Sequence, residues 1–185
     1  MSDQLAARGT GLATSGRRAP VEEAGVREFL AFSVYTETYA LPLSCVREIM
    51  RVPSVTPVPR APREVLGIIS VRGQVTTLID LRQKLNVEAG PVSSRTRILL
   101  VDQGDEIMGL LCDRVMQVHR LSETEVEMSS VLGADASSYV MGIGRPGQRK
   151  GDVQQGGGKV THASNVADIL ILLDPIALLK RGSHA

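Results

Sequence analysis

Short apolar runs, separated by turn-forming residues, make up most of the chain after about residue 27. Two such runs at 29–35 and 39–43 predict a first hairpin, with Pro42 at an edge or a bulge because proline cannot donate to a strand ladder. A second hairpin is predicted around Arg72 and Gly73, since β-branched runs flank them. The glycine can adopt the positive φ that a tight turn often needs, which leaves the arginine projecting from the turn.

The second half of the chain continues in the same pattern. Near its end, Asp174 as N-cap and Pro175 at the first helical position predict a C-terminal helix through Arg181. The other predicted elements are a strand at 97–101, a hairpin turn at 103–106, a return strand at 107–115 that continues as a bent strand to 121, a connection at 122–127, and strands at 139–143 and 168–173.

Helix is predicted in few places. Ser44 can cap a short helix in which Val46, Ile49 and Met50 form one apolar face, so that Glu48 points away from that face. The segments that remain are an extended, proline-punctuated connection at 53–62, a helical turn at 81–85 and a loop at 87–94. Strands this short and close together, without β–α–β alternation, indicate an all-β fold of barrels or sandwiches.

Three segments lack the apolar periodicity of a folded element. Residues 1–25 are rich in Ala, Gly, Ser, Thr and Arg and predict a disordered leader. Residues 145–167, with three consecutive glycines at 156–158, predict a flexible insertion between two strands. The tail at 182–185 is too short to interpret. The folded domain is therefore expected at 26–181.

Composition narrows the classes of partner. The chain has 185 residues, of which 43% are hydrophobic, so it can form one ordinary domain or two small ones that share a core. Its formal net charge is +1, aromatic residues make up 3% and tryptophan is absent. Neither the charge nor the aromatic content predicts nucleic acid or an anionic membrane as a partner.

The two cysteines and the apolar runs bear on location. Cys45 and Cys112 each lie among apolar residues, which is typical of buried, reduced thiols in a cytosolic protein. The apolar run at 169–173 is far shorter than the roughly 20 residues of a membrane span. Residues 1–25 contain no apolar signal core. We therefore expect a cytoplasmic protein without direct membrane insertion.

Several short motifs are typical of cofactor, metal or catalytic sites, but the residues around them do not fit such sites. Residues 142–147 spell G-x-G-x-x-G, yet no apolar helix follows to bind a pyrophosphate. His119 and His162 have no Cys or carboxylate at ligand spacing, so no metal site is predicted. Glutamates at 123, 125 and 127 fit a solvated face. No catalytic constellation and no cofactor are predicted, although an enzyme that holds a nucleotide with the loop 144–159 remains an alternative.

Taken together, the ordered motifs resemble the CheW family, the adaptor proteins of bacterial chemotaxis arrays. The resemblance covers about 27–181 apart from the insertion. It implies two small five-stranded SH3-like barrels around a shared apolar seam, here about 27–90 and 95–174, with a short C-terminal helix. The motifs that carry it are Phe29-Leu30-Ala31-Phe32, Tyr39-Ala40-Leu41-Pro42, Val46-Arg47-Glu48-Ile49, Arg72-Gly73 with Asp80-Leu81-Arg82, Met108-Gly109-Leu110, Tyr139-Val140-Met141-Gly142-Ile143-Gly144 and Asp168-Ile169-Leu170-Ile171.

The resemblance also implies a function in assembly rather than catalysis. Members couple chemoreceptors to a CheA-type histidine kinase, through a groove that takes the receptor's cytoplasmic tip and a barrel-end surface that meets the kinase's regulatory domain. Ser70 stands where Asn is usual, which together with the insertion leaves a scaffold of a non-flagellar pathway as an alternative. By themselves, Arg72 fits an exposed turn or a local salt bridge and Glu48 a solvated carboxylate. The residues expected to contact partners are Val46, Glu48, Ile49, Val71, Arg72 and Gly73.

Overall fold

The computed structural model describes residues 25–88, 90–102, 104, 106–128, 138–147 and 169–179. Strands dominate these residues, and the helices among them are short. The elements are β1 (Val26–Val34), β2 (Glu37–Pro42), β3 (Val46–Met50), β4 (Val65–Val71), β5 (Gln74–Asp80), α1 (Leu81–Lys84), β6 (Arg97–Asp102), β7 (Ile107–Cys112), β8 (Arg114–Ser122), β9 (Val126–Met128), β10 (Val140–Gly144), β11 (Leu170–Leu173) and α2 (Pro175–Leu179), with 3₁₀ turns at Leu43–Cys45 and Glu123–Glu125.

The described strands form two sheets, which confirms the predicted all-β class. Sheet A has six strands in the order β8-β1-β2-β11-β10-β9, and sheet B has five in the order β3-β6-β7-β5-β4. Neighbouring strands are antiparallel except for two pairs, β2 with β11 and β5 with β7, which are parallel. Each sheet is thus built around one parallel pair.

The two sheets do not divide the chain into consecutive halves, as the boundaries 27–90 and 95–174 assumed. Sheet A takes β1 and β2 from the start of the chain and β8 to β11 from its end, whereas sheet B is formed by the segment between them. The reason lies in the first hairpin. Its strand β1 is buried on both faces from Phe29 through Phe32 and pairs with both β2 and β8, as an interior strand does.

Among the residues that the structure describes, buried apolar side chains form three core clusters. One cluster belongs to sheet A and includes Phe29, Leu121 and Leu172. Another belongs to sheet B and includes Ile98 and Leu111. The largest, which we call the seam cluster, joins residues of both sheets with the C-terminal helix, as the predicted shared seam requires; it comprises Leu30, Phe32, Val34, Tyr39, Leu41, Ile79, Leu81, Leu99, Val101, Met108, Leu110, Cys112, Leu173, Leu178 and Leu179.

The short helix predicted after Ser44 is wrong. Only the 3₁₀ turn Leu43–Cys45 is helical there, and β3 follows it. The apolar residues that suggested a helix do not share a face of β3, since Val46 and Met50 pack against core clusters whereas Ile49 is exposed. The strand also contains a bulge, because one extra residue lies between Val46 and Ile49 relative to their partners Val101 and Leu99.

Two other expectations need correction. Pro42 lies in β2, which is an interior strand, but it is the last residue of that strand and β11 pairs only with Tyr39 and Ala40. The predicted strand 107–115 is interrupted at Asp113, where the chain passes from β7 in sheet B to β8 in sheet A. In both places a strand ends: β2 ends at the proline, and β7 ends where the chain passes to the other sheet.

The C-terminal helix begins as predicted. The Asp174 carboxylate accepts the backbone N–H of Ile176 at 2.8 Å and of Ala177 at 3.3 Å, and Pro175 is the first helical residue. The helix is described to Leu179, so its predicted end at Arg181 lies outside the described residues. So do the leader at 1–24, parts of the turn 103–106, most of the insertion and the tail at 182–185.

Candidate functional site

The predicted turn between β4 and β5 consists of Arg72 and Gly73, and both have positive φ, 51° and 83°. Val71 pairs with Gln74 on either side of it. Two positive φ angles match the right-handed twist of a two-residue hairpin. The sequence predicted this conformation for Gly73 only. An arginine in the left-handed region costs roughly 1–2 kcal/mol, so the turn keeps Arg72 at a local energetic penalty.

Arg72 and Glu48 form an ion pair, which is the central contact of the site. The guanidinium donates to the carboxylate across 2.8 Å, with 80% of the Arg72 side chain and 38% of the Glu48 side chain exposed. Glu48 lies on β3 and Arg72 follows β4, and these are the two edge strands of sheet B. The contact therefore joins both edges of the sheet at the surface.

The other four predicted contact residues differ in position. Val71 packs against the sheet B cluster and Val46 against the seam cluster, so both contribute to the core as well as to any surface. Ile49 is 44% exposed and Gly73 is exposed. The structure thus brings Arg72, Glu48 and the turn together, whereas Val46 belongs mainly to the core.

A shallow cleft of about 360 Å³ lies on sheet B, and the sequence did not indicate it. One wall contains an ion pair in which Arg47 donates from Nε to Asp102 at 2.6 Å. The pKa of Asp102 is lowered, first by the N–H of Gly104 and then by Arg47. Across the cleft Val75 is 74% exposed. The cleft is lined by Arg47, Gln74, Val75, Thr76, Asp102, Gly104, Glu106 and Ile107.

Position in the sheet connects this cleft with the ion pair. Gln74 and Val75 begin β5 directly after the Arg72–Gly73 turn, and Arg47 precedes Glu48 on β3. The turn, the pair and the cleft are therefore adjacent along both strands. We call this combined area the sheet B surface.

Asp80, the last residue of β5, and Arg82 of α1 are both buried. The guanidinium donates from Nε and Nη2 to the two carboxylate oxygens, each at 2.9 Å, and its Nη1 donates to the Gly90 carbonyl. Hydrogen bonding to Asp80 is the main cause of a raised Arg82 pKa. A two-pronged pair of this kind satisfies both buried charges. The motif is part of the architecture rather than of a contact surface.

The motifs that suggested chemistry have structural roles. Gly142 and Gly144 lie within β10 and Gly147 lies in the turn that follows, so no helix begins within the described run 142–147. Glu125 is not merely solvated: it accepts the Ser122 hydroxyl and N–H and the Gly147 N–H. Within the described ranges, no three His, Cys, Asp or Glu side chains are grouped as a metal ion would need. None of the helices described has the length and apolar content that a membrane crossing requires.

Comparison with known proteins agrees with this architecture. The model of the CheW-like domain matches residues 28–183. The chain belongs to the CheW-like domain family. A curated relative, chemotaxis protein CheW of Helicobacter pylori, is 33% identical over 67% of this chain and 75% of its own length. Chemotaxis protein CheW of Rhizobium meliloti is 30% identical over 64% of this chain and 77% of its own length.

A solved structure shares the fold of this CheW-family chain. The crystal structure of scaffolding protein TtCheW from Thermoanaerobacter tengcongensis matches with a TM-score of 0.68 and 22% identity, covering 84% of this chain and 94% of that one. This likeness shows the fold, and the membership in the CheW-like domain family rests on the match over residues 28–183.

Proposed function

We propose that this chain couples chemoreceptors to a CheA-type histidine kinase by binding both, without catalysing a reaction. It would act in the cytoplasm at membrane-associated receptor arrays. Family membership supports this proposal, since the family model spans residues 28–183. The coupling would work by holding two proteins in register.

The Arg72–Glu48 pair is the observation that carries the proposal. An exposed ion pair adds little to stability, about 0–1 kcal/mol, and Arg72 occupies an unfavourable backbone conformation. Arg72 thus adds little to stability and has an unfavourable backbone conformation, so a role in binding a partner explains it better than a role in folding. Arginine suits that role because its planar donor fork can bind carboxylates or carbonyls of a partner.

The sheet B surface has the mixed character of a protein interface. It combines charged pairs with the exposed side chains of Val75 and Ile49. Exposed apolar groups ringed by charges provide area for burial together with electrostatic selection of the partner. We assign this surface to partner contact, with Glu48 and Arg72 at its centre and Ile49, Val71 and Gly73 around them.

The boundary between the two sheets is the second proposed interface. The resemblance implies that a receptor tip, an amphipathic helix, lies in a groove between the two barrels. In this chain the seam cluster lies between sheets A and B, and Val46 packs against it from β3. A helix bound along that boundary would contact both sheets, while the kinase would contact one end of a barrel.

The proposal is tested by calorimetric titration of the purified chain with two separate proteins, a receptor cytoplasmic fragment that contains the tip and the kinase regulatory domain. We expect saturable binding to each. Arg72→Glu should weaken at least one of the two titrations, and Arg60→Glu, a charge reversal at another exposed arginine with positive φ, should weaken neither. Absence of binding to both proteins would refute the proposed function.

A further inference from the structure

Asp113 lies where the chain passes from sheet B to sheet A, and its carboxylate contacts both. One oxygen accepts the backbone N–H of Tyr35 at 2.7 Å, in the turn between β1 and β2 of sheet A. The other lies 3.5 Å from Nη1 of Arg82, in helix α1 that follows β5 of sheet B. The backbone N–H of Asp113 also donates to the Ser33 carbonyl at 3.0 Å. One carboxylate thus connects a turn of one sheet to a helix of the other.

The two carboxylates that face Arg82 hold it unequally. Asp80 makes two hydrogen bonds of 2.9 Å and its side chain is almost fully buried, as is that of Arg82. Asp113 makes one contact of 3.5 Å, and 30% of its side chain is exposed. Water can therefore solvate Asp113 when it leaves, and Arg82 keeps its bonds to Asp80 and Gly90. Separation leaves no unpaired buried charge, which is the usual cost of breaking a buried ion pair.

The turn that Asp113 holds is itself strained. Tyr35 has a φ of 56°, a conformation that glycine adopts freely and that an aromatic residue adopts at a cost. A charge-assisted hydrogen bond to its N–H offsets that cost. Without this bond we expect the turn to change conformation, because Tyr35 and Thr36 are both exposed and neither packs in a core cluster.

We propose that Asp113 is a releasable tie between the β1–β2 turn of sheet A and helix α1 of sheet B. Its release lets the β1–β2 turn move relative to α1, while Arg82 stays paired with Asp80 and the seam cluster, which contains Leu81 of α1, holds the helix in place. A use of this freedom in adjusting to a bound partner rests on the proposed function. The tie itself does not, and it is tested on the free protein.

The test places nitroxide labels at two exposed positions, Thr36 in the turn and Gln83 in α1, through cysteine substitutions. The native Cys45 and Cys112 thiols react slowly at neutral pH because burial raises their pKa to about 11 and about 12. Pulsed electron resonance should give one narrow distance in the parent protein and a broadened distribution in Asp113→Ala. Amide exchange at Tyr35, followed by NMR, should become about tenfold faster or more.

Three further variants make the test specific. Asp102→Ala is the matched control, because Asp102 also accepts a turn N–H at 2.7 Å, that of Gly104, and an arginine, but entirely within sheet B. It should change neither readout. Asp80→Ala should lower the thermal midpoint far more than Asp113→Ala does. If Asp113→Ala does not fold, Asp113→Asn keeps an acceptor for Tyr35 but removes the charge facing Arg82, and the distance should still broaden.

Two results would overturn the proposal. The first is an unchanged distance distribution in every folded Asp113 variant. The second is a loss of thermal stability in Asp113→Ala as large as that in Asp80→Ala, which would make Asp113 an ordinary member of the buried ion-pair network.

Discussion

Arg72 and Glu48 meet across 2.8 Å at the surface, although Glu48 lies on β3 and Arg72 directly follows β4, the opposite edge strand of sheet B. Arg72 follows Glu48 by 24 positions, and the segment between them includes the proline-punctuated connection, which returns to the sheet where Thr56 and Ile68 exchange backbone hydrogen bonds of 2.9 Å. Curling of the sheet thus brings its two edges together. The pair is a product of tertiary structure, and it lies on the surface that we assign to partner contact.

Charge reversal at Arg72 should weaken binding without unfolding the protein. Arg72→Glu loses an exposed ion pair and places two carboxylates together, a change of about 1 kcal/mol or less in the free energy of unfolding. Binding to receptor fragment, kinase domain or both should fall, because the donor fork is lost and repulsion is added where the partner is acidic. Calorimetry at physiological salt measures the binding and circular dichroism measures the fold.

Arg60→Glu is the control for this change, since Arg60 is also exposed and has a φ of 60°. Arg60→Glu changes the net charge by the same amount as Arg72→Glu, also at a position with positive φ, but it leaves the Arg72–Glu48 pair intact. Equal loss of binding in both variants, or no loss in Arg72→Glu, would remove Arg72 from the contact residues.

Glu48→Lys should reduce receptor binding selectively. It places a second cation beside Arg72 on a half-exposed position of β3, so we expect a slower association rate and a changed salt dependence rather than a lost fold. Stopped-flow association at two salt concentrations provides the measurement. Glu28→Lys is the matched control, because Glu28 pairs with Arg120 at 3.2 Å on sheet A. Unfolding of Glu48→Lys would instead make this carboxylate structural.

Local patterns predicted the hairpins and the C-terminal helix, because these depend on neighbouring residues. The Arg72–Gly73 turn and the Asp174 cap are formed by side chains and backbone within a few positions of each other. The distribution of strands between sheets is non-local: β2 pairs with β11 through Tyr39 and Ile171, which are far apart in sequence. The periodicity of apolar residues does not indicate which distant strand a given strand pairs with. The expectation of two barrels that follow each other along the chain, at 27–90 and 95–174, therefore differs from the observed sheets.

The sequence suggested residues for the candidate site, which stay a prediction, but it did not indicate their geometry. Resemblance to the family selected Arg72 and Glu48, yet the helix predicted at 44–50 would have placed Glu48 on a helix surface. The apolar residues at 46, 49 and 50 match a helical spacing by sequence alone, since in β3 Val46 and Met50 pack inward and Ile49 is exposed. The cleft beside the pair is lined by residues of four strands, β3, β5, β6 and β7, and no single segment of sequence indicates it.

Two glycines of sheet B should differ sharply in their tolerance of a side chain. A Cβ at Gly67, where φ is +152°, would lie 2.4 Å from the Thr56 carbonyl oxygen that accepts the Ile68 N–H, so Gly67→Ala should cost roughly 3 kcal/mol. A Cβ at Gly73 would have no neighbouring atom within 4 Å, so Gly73→Ala should cost only the backbone strain of about 1 kcal/mol. Urea unfolding of both variants measures the difference; equal costs would contradict the placement of Thr56 against β4.

The protein should lose stability at alkaline pH. Burial raises the pKa of the Cys112 thiol to about 12 and of the Cys45 thiol to about 11, and it also raises the pKa of Tyr39. A cysteine thiol in the unfolded chain has a pKa of about 8.5. Above that pH the folded state binds more protons than the unfolded state, so the free energy of unfolding falls as the pH rises toward the folded pKa values. Urea unfolding between about pH 7 and pH 10 should show this decline; rapid alkylation of Cys112 in native buffer would contradict it.

The coupling function is tested most directly by sedimentation of the kinase with receptor-containing membranes, with and without this chain. We expect the kinase to sediment with the receptors only when the chain is present, and the chain itself to sediment with the membranes. Arg72→Glu should reduce both effects, whereas Arg60→Glu should reduce neither. Equal sedimentation of the kinase in the presence and absence of the chain would rule out the coupling function.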